Sequence, residues 1–208
     1  MISIDMGSLW SDETEKIVKG ISEATNNIIE YRNNPNTSKN MFCELGEDIA
    51  TICSFWTGST YVGSPKIDAV KYAFQSFFEE LMRLLIDMKD SKKSFERKTA
   101  NAMLFRGTIY RYLGTNDCMD KRTVKPEFND IYVSWSKCPD NSYLLSKLYG
   151  TVTFMTCQIS EPLYGIDLEA LGCSRGDEKE VVFPTIEEYI TNIEYIEEEE
   201  EVEDDDQT

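Results

Sequence analysis

The feature that most constrains the fold is a run of apolar side chains at helical spacing between Lys66 and Asp90. Residues three or four positions apart lie on one face of an α-helix, so the pattern predicts an amphipathic helix over 66–90. The face consists of Ile67, Val70, Phe74, Phe77, Phe78, Leu81, Leu84, Leu85 and Met88. We interpret this aromatic face as scaffold packed in the core, not as a cofactor site.

A shorter amphipathic helix is predicted upstream. Asp12 followed by Glu15 is typical of a helix start, and apolar side chains recur at helical spacing up to the breaker stretch 33–38. Residues 41–56 are mixed in character and predict no definite element, whereas 58–65 is typical of a loop.

After Lys98 the chain changes to short apolar runs separated by turn residues, which are typical of strands. One further stretch, 141–149, is interpreted as a helix between two of them. The predicted strands are 102–110, 130–136, 150–158, 179–183 and 189–196. A helical N-terminal part packed on a mostly antiparallel sheet is an α+β fold.

Three regions are therefore expected along the 208 residues. Residues 1–98 form a helical N-terminal region that packs on the core, and 99–193 form a β-rich core. Residues 194–208 form an acidic tail, which contributes −10 of the formal charge of −17 and leaves −7 to the rest. Such a run cannot bury apolar area, so we expect it to be disordered and solvated.

Charge and residue usage limit the chemistry. Direct binding to DNA or RNA is not expected, because phosphate contacts need a basic surface. The chain has no histidine, and its six cysteines form no CxxC pair. We therefore expect no metal site, and carboxylates remain as the acid–base groups near neutral pH. With no signal peptide and no apolar run of spanning length, we expect a soluble cytoplasmic protein without membrane contact.

An arginine, Arg106, interrupts the first predicted strand. A buried, unpaired guanidinium is costly, so Arg106 should point into a cleft or meet an anion, unless it lies in solvent on an edge strand. In a cleft it could clamp a phosphate or carboxylate through two parallel hydrogen bonds. Gly107 beside it would let a ligand approach the backbone closely.

Two pairs of polar side chains lie at period-two spacing on later strands. Ser134 and Ser136 share one face of their strand, although serine pairs on strands are common. Glu178 and Glu180 project to one side where a loop meets an apolar strand. That junction, more than the bare spacing, makes the two glutamates candidates for catalysis.

These motifs, taken together and in order, resemble a known family. LFRG at 104–107, YVSWS at 132–136 and EKEVVFP at 178–184 resemble the arginine, serine, glutamate signature of the cholera-toxin-like mono-ADP-ribosyltransferases. Size and layout are similar to the small host-modifying ADP-ribosyltransferases of bacteriophages. The resemblance covers about residues 102–184, and it implies a split β-sheet core of ADP-ribosyltransferase type. Trp135 stands between the serines where the family commonly has threonine.

The resemblance implies that NAD is a substrate and that ADP-ribose passes to a protein side chain with release of nicotinamide. Glu180 would stabilise the positive charge that develops on the ribose, by binding its 2′-hydroxyl. Glu178 would hold and partly deprotonate the acceptor, which is expected to be the guanidinium of a protein arginine. A nucleic-acid or small-molecule acceptor stays open.

The other motif residues would bind NAD. The resemblance implies that Arg106 clamps the diphosphate and that the backbone of Gly107 binds the nicotinamide carboxamide. Ser134 would orient Glu180 and support the ribose, with Ser136 as a weaker member of the same motif. The loop 172–177 would recognise the acceptor, which would be a host protein in the host cytoplasm if a phage encodes this chain.

Two other functions remain open at this stage. The acidic tail is also typical of a charge mimic that inhibits a basic, nucleic-acid-binding host protein without any enzymatic step. The other open function is that of a structural interaction module. The sequence carries no indication of oligomeric state.

Overall fold

The computed structural model describes residues 6–34, 36, 38–58, 67–114, 132–140, 152–173, 179–184 and 189–196. Several sequence predictions fall outside these residues. They are the loop 58–65 beyond Gly58, the helix over 141–149, the candidate Glu178, the loop 172–177 beyond Cys173 and the tail beyond Ile196.

Four α-helices precede seven β-strands in the described chain. The helices are α1 (Met6–Asn33), α2 (Lys39–Gly58), α3 (Ile67–Lys89) and α4 (Ser94–Met103). The strands are β1 (Leu104–Phe105), β2 (Gly107–Gly114), β3 (Tyr132–Ser136), β4 (Val152–Ile159), β5 (Gly165–Asp167), β6 (Glu180–Pro184) and β7 (Ile190–Ile196). A short 3₁₀ helix, Glu169–Leu171, follows β5.

The predicted helix over 66–90 is confirmed as α3, which lies at the centre of the helical part. Phe74, Phe77 and Phe78 on its apolar face are buried, and α3 packs against α1 and α4. The same core continues into the sheet through Tyr132 on β3 and Val182 on β6. The helical part therefore packs on one face of the sheet, as the α+β prediction requires.

A buried glutamate, Glu96, ties α4 to α1. Its Oε1 accepts a hydrogen bond of 2.8 Å from the Tyr31 hydroxyl and lies 3.0 Å from Lys93 Nζ, while the Ser91 hydroxyl donates to Oε2. Burial opposes ionisation of this carboxyl group, but the three partners outweigh it and lower the pKa of Glu96. The ionised carboxylate therefore links the two helices.

The sheet is antiparallel throughout its described pairs, in the order β1-β5-β6-β3-β2-β4-β7. The single residue Arg106 joins β1 to β2, yet these strands occupy the first and fifth positions. In a flat sheet, four strand spacings would separate them by roughly 19 Å, far more than one residue can span. The sheet must therefore curl until β1 lies beside the start of β2.

The curl gives the sheet an inner face with a core of its own. Because side chains alternate along a strand, the inner face takes every second residue of β2, β3, β4 and β6. Its buried side chains are Ile109, Trp135, Met155, Cys157, Ile159, Val181 and Phe183. The other face, with Ser134, Ser136, Glu180 and Val182, lies toward the helices.

The structure corrects several predicted boundaries. Residues 41–56, which predicted no definite element, lie within the long helix α2. Ala102 and Met103 end α4 instead of beginning a strand, so the predicted boundary between residues 98 and 99 falls inside a helix. The predicted strand over 189–196 is confirmed as β7, so residues 194–196, also assigned to the tail, belong to the sheet and pair with β4. None of the described helices is long and apolar enough to cross a membrane.

Candidate functional site

Glu180 begins β6 on a backbone that is held from two sides. Its carbonyl accepts a 2.9 Å hydrogen bond from Leu168 N, and the carbonyl of Lys179 accepts one of 3.1 Å from Lys137 N. Lys179 adopts φ +44°, a left-handed conformation that costs energy in a residue with a side chain. The strand start is thus fixed in a strained conformation next to the candidate catalytic residue.

The side chain of Glu180 is buried, with 5% of its surface exposed, and two donors hold one oxygen. Oε1 accepts a hydrogen bond of 3.0 Å from Trp56 Nε1 and another from the Ser134 hydroxyl. The indole N–H is shared with Ser134 Oγ at 2.9 Å. The three side chains close a triangle in which Ser134 is exposed and Glu180 lies beneath it.

Trp56 is a site residue that the sequence analysis missed. It lies near the end of α2 and packs edge-to-face on Phe74 and Phe78 of α3, with ring centroids 5.1 and 5.0 Å away. Trp56 is half-buried, and its N–H finds an acceptor in the candidate carboxylate, as a tryptophan packed against a core usually does. Its presence in the site depends on how α2 docks, and no local motif marks it.

Ser136 lies opposite Glu180 in the pairing of β3 with β6, so both are at one level of the sheet. Its side chain is buried, and its Oγ accepts a 3.0 Å hydrogen bond from Cys138 N. This contact turns the chain at the end of β3. Ser134 and Ser136 therefore share a face, as predicted, and Ser134 is the one that donates to Glu180 Oε1 within the triangle.

Arg106 lies at the corner between β1 and β2, away from this triangle. It donates to Glu161 Oε1 at 2.5 Å and to Leu163 O at 3.1 Å, and its guanidinium stacks 3.9 Å from the centroid of Tyr164. Ser136 pairs with Tyr110 on one side and with Glu180 on the other, so Tyr110 and Glu180 lie at the same level of the sheet. Arg106 precedes Tyr110 by four residues, a distance of about 13 Å along the strand.

Gly107, directly after Arg106, has φ +142°, a conformation that side chains rarely adopt. A Cβ there would lie 3.1 Å from the ring of Phe105. Glycine is needed at this corner by the turn from β1 into β2, whatever a ligand requires.

Neighbouring ionisable groups are already engaged. Lys137 Nζ lies 2.7 Å from Asp167 Oδ2 and 2.6 Å from Glu169 Oε2. Burial raises the pKa of the Cys53 thiol, with smaller contributions from Cys173 and Glu180, so Cys53 stays protonated and is no nucleophile. In the described part of the chain, no group of three or more Cys, Asp or Glu residues could hold a metal ion.

Comparisons with known proteins add no constraint, since neither a family model, nor a curated protein, nor a solved structure matches this chain.

Proposed function

We propose that this protein is an NAD-dependent mono-ADP-ribosyltransferase that modifies a protein side chain. The observation that carries the proposal is the triangle of Trp56, Ser134 and Glu180. An exposed hydroxyl over a buried carboxylate held by two donors is a preorganised group suited to stabilise positive charge on a bound sugar. The serine–glutamate contact is the one through which Ser134 is expected to orient Glu180.

In the proposed reaction, the bond between ribose C1′ and the nicotinamide nitrogen breaks. Its electron pair goes to the nicotinamide ring, which loses its positive charge and leaves as neutral nicotinamide. The developing oxocarbenium-like charge is stabilised by Glu180, which also accepts a hydrogen bond from the ribose 2′-hydroxyl. A nucleophile on the acceptor then forms a new bond to C1′.

An arginine guanidinium is the proposed acceptor, and it must lose one proton as its nitrogen bonds to C1′. Glu178 is assigned the role of taking that proton, because it is a carboxylate two residues before Glu180 in the sequence. A host protein in the cytoplasm that exposes such an arginine is the proposed partner.

Arg106 is assigned to the diphosphate, and its observed ion pair does not oppose that role. The Glu161 side chain is 82% exposed, and exposed ion pairs contribute only about 0–1 kcal/mol. A diphosphate carries more charge than one carboxylate and can replace it. Tyr164, stacked on the guanidinium, would keep the arginine's plane oriented during the exchange.

The experiment compares wild-type protein with Glu180→Gln, using NAD labelled in its adenylate part and a bacterial lysate. Free nicotinamide reports cleavage of NAD, and label on protein bands reports transfer. We expect Glu180→Gln to lose about 10²- to 10³-fold in the rate of nicotinamide release, the cost typical of one preorganised electrostatic group.

The matched control is Glu96→Gln, which removes the charge of another buried glutamate, one that lies on α4 and binds Tyr31 of α1. We expect it to leave the rate of NAD cleavage near wild type. Glu178→Ala should keep NAD hydrolysis while losing transfer to protein. If wild-type protein released no nicotinamide, or if Glu180→Gln were as active as Glu96→Gln, the proposal would be wrong.

A further inference from the structure

A second group of polar side chains lies on the inner face of the curled sheet, away from Glu180. Arg111 on β2 pairs with Met155 on β4. Two positions along β4 from Met155 lies Thr153, which faces the same side. β2 and β3 pair at Tyr110 and Ser136, and the next residues in each direction, Arg111 and Trp135, both face the side opposite to that pair.

Strand geometry brings these three side chains together. Directly opposite residues have Cβ atoms about 5 Å apart, and diagonal neighbours about 7–8 Å. Arg111 and Thr153 are in the second relation, and Arg111 and Trp135 flank the paired residues Tyr110 and Ser136 on their two strands. Side chains that carry a guanidinium, an indole N–H and a hydroxyl therefore lie on neighbouring positions of the inner face.

None of the three donors has a partner within the described chain. Trp135 is 2% exposed and Thr153 is 1% exposed, yet Trp135 Nε1 and Thr153 Oγ1 make no hydrogen bond. Arg111 is half-buried and has no ion pair among the described residues, and its partial burial lowers its pKa to about 10. Buried donors without acceptors are rare in folded proteins, because each one costs the free energy of its lost hydration.

The excess of acidic residues in the chain makes it notable that Arg111 has no ion pair among the described residues. The protein carries 38 acidic and 21 basic residues, and carboxylates already pair with Arg32, Arg83, Arg106 and Lys137. An arginine that meets none of the described carboxylates, beside two buried donors, is suited to an acceptor that comes from outside the chain.

We propose that Arg111, Trp135 and Thr153 form a binding site for a small oxyanion, a phosphate or carboxylate group, on the inner face of the sheet. The guanidinium binds two oxygens of the anion, and the indole N–H and the hydroxyl each donate one hydrogen bond. The site is separate from the triangle around Glu180, because the sheet lies between its inner face and the face toward the helices. It does not depend on the proposed transferase activity.

The test titrates the full-length protein with sodium phosphate and, separately, with sodium acetate, against sodium chloride at equal ionic strength. Thermal unfolding and tryptophan fluorescence are measured at each concentration. A ligand that binds only the folded state raises Tm in a saturable way, so we expect such a rise with one anion and not with chloride. The anion that acts at the lower concentration identifies the phosphate or carboxylate source.

Variants then locate the site. Arg111→Met should weaken binding by about tenfold or more, because hydrogen bonds to charged groups contribute about 1.5–3 kcal/mol. Trp135→Phe should weaken it by a smaller factor and remove most of the fluorescence change. Arg97→Met is the matched control, since Arg97 is an exposed arginine that binds a backbone carbonyl.

Two results would overturn the proposal. One is the absence of any saturable response of wild-type protein to phosphate or acetate beyond that to chloride. The other is equal binding by Trp135→Phe, Arg97→Met and wild type. The titration of wild-type protein and Trp135→Phe keeps the test decisive if Arg111→Met fails to fold.

Discussion

Substitution of Trp56 by phenylalanine tests whether the helical part holds the candidate catalytic glutamate in place. The smaller side chain would keep an aromatic ring against Phe74 and Phe78, where the indole packs edge-to-face. The substitution would remove the N–H that donates to Glu180 Oε1 at 3.0 Å and to Ser134 Oγ at 2.9 Å. Trp56→Phe therefore separates the hydrogen bond from the packing.

The expected cost follows from the kind of acceptor. A net hydrogen bond to a charged group contributes about 1.5–3 kcal/mol, against about 0.5–1.5 kcal/mol for a neutral pair. Because one N–H is shared between a carboxylate and a hydroxyl, we expect Trp56→Phe to lower the free energy of unfolding by about 1.5–3 kcal/mol. In a Glu180→Gln background the acceptor is neutral, so the cost should fall to about 0.5–1.5 kcal/mol.

The assay is urea unfolding at pH 7 in phosphate-free buffer. The midpoint urea concentrations are compared between variants whose unfolding free energies have the same slope against urea. Trp135→Phe is the matched control, because its indole N–H makes no hydrogen bond in the described structure, and it should cost less than Trp56→Phe. If Trp56→Phe cost no more than Trp135→Phe, or the same amount in both Glu180 backgrounds, the hydrogen bond to Glu180 would not be the stabilising contact we infer.

Two further predictions concern stability. A Cβ at Gly165 would lie 2.5 Å from Val181 Cγ1, so Gly165→Ala should destabilise the protein by about 1–3 kcal/mol in urea unfolding. Gly46 lies on α2, and a Cβ there would have no heavy atom within 4 Å, so Gly46→Ala should be neutral or stabilising. Equal changes in unfolding free energy for Gly165→Ala and Gly46→Ala would contradict the argument. The lowered pKa of Glu96 should stabilise the fold above pH 4.5 and progressively less as pH falls below that value. The stability difference between wild type and Glu96→Gln should therefore shrink on acidification, and an unchanged difference from about pH 7 to about pH 3 would refute it.

Periodic elements were the part of the fold most accessible from sequence. The helix over 66–90 was predicted almost to its ends because its apolar spacing repeats for about six turns. Helix α2 escaped prediction because its apolar residues are interrupted by polar ones, and its burial comes from contacts with α1 and the site. Strand β5 was also missed, since three residues carry too little period-two signal.

The candidate site was accessible only in part. The period-two spacing of Ser134 and Ser136 predicted their shared face, and the strand context of Glu180 marked it as a candidate. That the Ser134 hydroxyl reaches Glu180 Oε1 depends on the register of β3 against β6. Register is a long-range property, set by packing of both faces, and no local pattern encodes it.

The sequence by itself determined that a helical part precedes a part made mostly of strands, the buried face of α3 and the lack of histidine chemistry. These are consequences of residue type and local spacing, which act through backbone geometry and burial. Tertiary structure alone decided that Trp56 meets a glutamate 124 residues away, that Arg106 pairs with Glu161, and that Arg111 has no ion pair among the described residues. Such contacts arise only when the sheet curls and α2 docks, because they depend on the whole packed arrangement and not on any segment within it.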